Sequence, residues 1–158
     1  MATPLDNNIV VNDGVIDAIL IGIVQLLQAH PMLSKAKILH EDDGDLENEI
    51  ESGLSNNGLN IIVLTPAGES QSPDAPIVII DDLLVAIRIW EVPIINRSAS
   101  GTLLTINKTT EIIASYLHLK ILGDSALVFK RWRPVSSEEG LVRDVFFQTS
   151  TAFNASTI

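Results

Sequence analysis

Leu83-Leu84-Val85-Ala86-Ile87-Arg88-Ile89-Trp90-Glu91-Val92-Pro93-Ile94-Ile95 is an apolar run whose side chains alternate between two faces, and that alternation decides the fold. Val85, Ile87 and Ile89 share one face of an extended strand, and Arg88 and Trp90 share the other. Pro93 has no N–H to give to a ladder, so this end of the strand is expected at an edge or a bulge. Past Asn96-Arg97-Ser98 the pattern becomes helical. Ser98, Ser100 and Thr102 offer N-cap hydroxyls, and Thr102-Leu103-Leu104-Thr105-Ile106 reads as the opening of a helix that ends at Leu117-His118.

Upstream, Ile77 to Ile80 joins this strand either as a hairpin around Asp81-Asp82 or as one long bulged strand. Pro66 to Ala75 is a polar loop, and the continuous apolar run Leu59 to Thr65 reads as an inner strand. Ser55-Asn56-Asn57-Gly58 is a turn cluster. Lys35 to His40 is a further strand. Residues 41–58 form an acidic insert carrying Glu41, Asp42, Asp43, Asp45, Glu47, Glu49 and Glu51. Within it Leu46 and Ile50 pin a short helix closed by Gly53, or the stretch is loop. Residues 14–30 form a helix capped by Asn12 or Asp13 and stopped by Pro31. Its apolar positions Ile16, Ile19, Leu20, Ile23, Leu26 and Leu27 follow helical spacing, and Val15, Ile21 and Val24 widen the stripe nearly all round. Such a helix needs cover on more than one side, and part of that cover is expected from another subunit.

Downstream, Ser125 to Arg133 and Leu141 to Phe153 flank a turn at residues 135–140 and form the clearest hairpin in the chain. Leu127 and Phe129 oppose Val128, Lys130 and Trp132 on its first arm. Val145 and Phe147 oppose Asp144, Phe146 and Gln148 on the second. The expected architecture is one α+β domain over residues 13–153, a mainly antiparallel or mixed sheet with two principal helices packed on it. Residues 1–12 read as an N-terminal arm and 154–158 as a flexible tail.

The 158 residues include no cysteine, so neither a disulfide framework nor a thiolate metal site is open to the chain. Charge is divided along it: residues 1–82 carry −12 and residues 83–158 carry +2, for the net −10. So acidic a chain is poorly suited to gripping nucleic acid, and two surfaces of unlike sign bias association head to tail. Residues 14–29 are too short and too interrupted to span a bilayer, and no basic segment precedes them as in a signal peptide. No membrane partner and no sequence-specific nucleic-acid partner are expected.

The acidic insert does not fit a calcium loop: counting back from Gly44 puts Leu39 at the first ligand position. His30, His40 and His118 lack metal-ligand spacing, and His30 and His118 suit helix ends. With no nucleophile elbow, phosphate loop or dinucleotide fingerprint, the chain reads as no enzyme, and no cofactor is expected. Asn96-Arg97-Ser98 and two similar triplets match a glycosylation sequon by coincidence. Lys130, Arg131, Trp132 and Arg133, with Arg143 across the turn, form a basic patch with one aromatic. Arginine and tryptophan are enriched where proteins meet, so this patch reads as a protein interface, ahead of a plain solvated strand and of a nucleic-acid groove. Trp90 reads either as a core residue beneath a helix or as a subunit-interface residue.

The string Trp90-Glu91-Val92-Pro93-Ile94-Ile95-Asn96-Arg97, followed by Gly101-Thr102 and a helix ending at Leu117-His118, resembles the tail terminator (tail completion) proteins of tailed bacteriophages. The resemblance is one of pattern and element order over residues 14–150. It implies a structural virion protein of the tail, assembled in the host cytoplasm. Its subunits would form a homo-oligomeric ring, usually a hexamer, capping the head-proximal end of the tail tube. The implied partners are the tail tube protein, the head–tail connector and, in contractile tails, the sheath protein. It further implies structural roles for Glu91, Pro93 and Asn96 and a subunit-bridging role for Arg97. If the chain is such a ring, the carboxylates of residues 41–51 either face the DNA channel or form a solvated outer loop. The alternatives are another connector or injection-system component, or a bacterial α+β ligand-binding or regulatory domain.

Overall fold

The structure is a computed structural model that describes residues 14–98 and 101–154. Five strands form one mixed sheet in the order β1-β2-β3-β7-β6, built from β1 (Lys37–His40), β2 (Leu59–Glu69), β3 (Ile77–Glu91), β6 (Val128–Val135) and β7 (Leu141–Asn154). β1 runs parallel to β2 and every other pair is antiparallel. Strands β4 (Ile121–Leu122) and β5 (Ser125–Ala126) make a separate small hairpin. The domain is α+β, as the patterning predicts.

One face of the sheet carries the core. Leu59, Ile61, Val63, Val85, Ile87, Ile89, Val145 and Phe147 pack beneath α1 (Val15–Ala29) and α4 (Ile106–Leu117), which contribute Ile19, Ile23, Leu27, Ile113 and Leu117. β3 is central because its side chains are buried toward both faces, with Ala86 on the side opposite Val85 and Ile87. On that outer face α2 (Leu46–Asn56) packs over β1 and β2. Among the described residues no helix lies over β7 and β6 there.

The acidic insert is therefore a loop leading into α2. Gly53, expected to close that helix, lies inside it, and the helix runs on to Asn56. Its role is contact: a methyl group at Gly53 would sit 1.9 Å from Asn60 Oδ1 and 2.9 Å from the Lys37 Cβ. Asn60, wholly buried, donates from Nδ2 to the Ile50 carbonyl at 2.7 Å and so ties α2 to the sheet.

Other expectations change. β2 extends through Pro66 to Glu69, and the register shift between Leu64 and Ala67 absorbs the proline that would otherwise break the ladder. Of the two readings for residues 77–95, one long strand with an irregularity between Ile80 and Leu83 is found. It ends at Glu91, because Pro93 begins a single helical turn, α3 (Pro93–Asn96), where a missing N–H costs nothing. Helix α4 starts later than expected. Its N-cap is Thr105, whose hydroxyl accepts from Lys108 N at 3.1 Å, and Leu103 adopts a left-handed φ of 63°. Thr102 serves elsewhere. A register shift between Phe129 and Arg131 moves Trp132 to the Phe129 face, opposite the placement that simple alternation gives. Asn154 is the last residue of β7. α1 begins at Val15 with Gly14 as its N-cap and no side-chain capping bond, one or two residues later than the expected Asn12 or Asp13 cap; the expected arm, Ser100 and residues 155–158 lie outside the described residues.

Candidate functional site

Two constellations stand out, one buried and one exposed. The buried one gathers most of the segment 91–102. Glu91 and Asn96 are both fully buried. Asn96 Nδ2 donates to Glu91 Oε2 at 2.7 Å and to the Leu104 carbonyl at 2.8 Å, while Asn96 Oδ1 accepts from Thr102 N at 3.0 Å and from the Thr102 hydroxyl. Glu91 Oε1 accepts from Ile106 N at 3.1 Å, so this carboxylate sits on the first turn of α4, where the helix dipole favours negative charge. Gly58, at φ 76°, and Gly101 approach Asn96 so closely that a Cβ on either would lie 2.4 Å from its N or 2.2 Å from its O. Arg97 stands outside, 54% exposed, its Nε 3.6 Å from Glu91 Oε2. The knot clamps the strand end, residues 101–105 and the start of α4 into one piece, and it holds up Ile94 and Leu103, which are 84% and 63% exposed.

The exposed constellation lies on the free strand β6 and its neighbour β7. On the outer face Arg131 and Arg133 each place a guanidinium 5.1 Å from the ring centre of Phe146. Phe146 is thereby buried with no helix over it. Neither arginine has an ion-pair partner among the described residues. Beside them Arg88 makes a two-point ion pair with Asp144, at 2.9 and 3.0 Å, and the Asp144 carboxylate holds its guanidinium above the usual arginine range. On the core face Trp132, about half exposed, lies under the Arg143 guanidinium at 3.8 Å. Arg143 Nη1 donates to Asn107 Oδ1 at 2.9 Å and to the Thr110 hydroxyl at 3.1 Å, and burial lowers the basicity of this group. Lys130 is exposed at the bulge.

The patch anticipated from the sequence is thus split. Arg131 and Arg133 look outward on one side of the sheet; Trp132 and Arg143 form a stack on the other. Phe146 as the platform was missed. The alternation of residues 144–148 had placed it opposite the core, but only the register across β6 reveals the two arginines above it. Trp90 is half-buried on the outer face, and its indole N–H donates to the Glu139 carbonyl at 2.7 Å, which fastens the β6–β7 turn.

The seven carboxylates of the insert do not act alike. Glu41 accepts from both the amide and the hydroxyl of Thr65. Asp43 binds His40, and Glu49 pairs with Lys37 at 3.0 Å. Asp45 accepts from the Asn48 amide. Asp42 lies beside Asp17 of α1, and the hydrogen bond between these carboxyls, then burial, raises its pKa above 3.8. Glu47 and Glu51 are exposed and carry no ion pair among the described residues. No group of three or more metal-binding side chains occurs among the described residues.

No family model and no curated protein matches the chain. His30 and His118 each accept a hydrogen bond at Nδ1, from Met32 N and Phe129 N, and so serve the turns that leave α1 and α4.

Proposed function

We propose that this protein is a structural assembly subunit resembling phage tail terminators, one that works as a closed homo-oligomeric ring at the head-proximal end of a tail tube. The observation that carries the reading is the pairing of unlike surfaces on one chain. The β7–β6 half of the outer face presents Arg131 and Arg133, and the α2 half Glu47 and Glu51, none of them ion-paired among the described residues. A chain with two different complementary surfaces associates head to tail, and such association closes when the rotation between neighbours divides the circle. The segment Glu91 to Thr102, which carries the resemblance, supports the same reading by building a rigid display for Ile94 and Leu103, two apolar side chains suited to a docking partner. In this reading Trp132 and Arg143 belong to the subunit contact, Arg97 lies beside it, and the tube and connector meet the two ring faces.

Native mass measurement together with electron microscopy of the purified protein tests this. Rings of one size, and tubes of defined length when tube protein polymerises in their presence, are the expected results; a monomer at all concentrations rejects the free ring.

A second reading has one observation in its favour. A cavity of about 430 Å³ lies between the start of α1, the β4–β5 hairpin and the far end of β3 and β7, lined in part by Val15, Ile19, Ile79 and Leu122 with Asp81 and Asp124. A ligand-binding domain would use it. A monomer that gains thermal stability with a small apolar ligand would favour that reading over the ring.

A further inference from the structure

We infer that the bare β7–β6 half of the outer sheet face is the seat for helix α2 of a second copy of this chain, with Arg131 and Arg133 of one copy facing Glu47 and Glu51 of the next. The inference rests on the ring reading and names its contact.

Each half of the outer face has a different cover. β1 and β2 lie under the chain's own α2, which approaches closely because Gly53 has no side chain. Over Phe146, β6 contributes two arginine stems, and among the described residues no helix lies there. Stacking fixes those stems, so the guanidinium edges are held ready with little rotamer freedom left to lose on binding. Their N–H groups need acceptors, and none lies within ion-pair distance among the described residues. Arg88 is no competitor, since Asp144 already takes its fork at two points.

The acceptors are spaced to match. Glu47 and Glu51 stand four residues apart on α2, on one helix face with Cβ atoms about 5–6 Å apart. Arg131 and Arg133 stand two residues apart on a strand, about 7 Å along it. Both carboxylates are exposed, and neither has an ion-pair partner among the described residues. Helix on sheet is the packing the fold already uses on the other half of the same face. A nucleic-acid backbone would also satisfy arginines, but a chain of net charge −10 with α2 on the same face repels it.

Charge exchange between variants tests the seat. One variant carries Arg131→Glu and Arg133→Glu, the other Glu47→Lys and Glu51→Lys. Each alone should associate at least about tenfold more weakly than the unaltered chain. An equimolar mixture should assemble again, into rings in which the two variants alternate and whose subunit number is even. A third variant, Arg131→Gln with Arg133→Gln, keeps the stems over Phe146 and guards against misfolding; circular dichroism should show it native, and its assembly should be weakened likewise. If both reversed variants form rings as the unaltered chain does, the seat is wrong and the ring stands. If the mixture of folded variants stays apart, the seat is also wrong. An unaltered chain that never associates rejects ring and seat together. Retention of a single-stranded oligonucleotide at physiological salt, lost in the Gln variant, would assign the arginines to nucleic acid and overturn the proposal.

Discussion

The amide of Asn96 donates to the carboxylate of Glu91 at 2.7 Å with both side chains wholly out of solvent. A buried carboxylate is tolerable only while its donors remain. Asn96→Ala removes a donor to Glu91 and the acceptor for Thr102, and leaves the carboxylate with Ile106 N and the half-exposed Arg97 ion pair at 3.6 Å. The expected loss is about 3 kcal/mol or more of unfolding free energy, read from urea denaturation. Arg97→Ala, at the exposed rim, should cost under about 1 kcal/mol.

Gly53→Ala separates propensity from packing. In an open helix the change would gain about 1 kcal/mol. Here the new methyl meets Asn60 Oδ1 and the Lys37 Cβ, both against the sheet. The expected result is a net loss of about 1–3 kcal/mol in the same measurement. A gain would mean that α2 does not press on β1 and β2.

Leu103 should behave in the opposite sense. Its φ of 63° is strained for a branched side chain, and the side chain is largely exposed. Leu103→Gly is expected to leave stability unchanged or raise it by up to about 1 kcal/mol, although glycine usually weakens a fold. If the proposed ring forms and Leu103 is a docking side chain, the same variant binds its partner less well while melting no earlier.

Asp42 sets a small pH dependence. Its folded pKa is raised by the hydrogen bond to Asp17 and by burial. The folded state therefore holds that proton more tightly than the unfolded chain, and the pair opposes folding above the raised pKa. The penalty fades as pH falls through that value and is gone below 3.8. Asp42→Asn should raise the thermal midpoint at pH 7 and lose its advantage below that window. Solvent screening keeps the gain under about 0.5 kcal/mol.

Much of the architecture was legible because period and burial coincide. The α1 stripe, the alternation of Val85, Ile87 and Ile89, and the hairpin through Val145 and Phe147 each state their own face. What was illegible depends on partners far along the chain. Pro66 passes as a strand residue because a bulge accepts it, Gly53 is interior because Asn60 needs the space, and one extra residue at Lys130 turns Trp132 over. The site shows the same division. The Arg/Trp run is visible as composition, whereas the Arg131–Phe146–Arg133 stack exists only once β6 and β7 are in register.

The two longest strands, β3 and β7, are neighbours at the centre of the sheet, yet Arg88 and Asp144 are 56 residues apart in the chain. β7 follows both β3 and β6 in the chain, yet it is the strand that joins them. Until it arrives, β3 is a long edge of Val, Ile and Leu, open to any passing strand. Loop closure over such a span is slow, so the nascent chain spends that interval with its most adhesive segment uncovered. Production of intact subunits is then a race between the arrival of residues 141–154 and self-association of unfinished chains, and slower synthesis upstream of residue 141 would lose it.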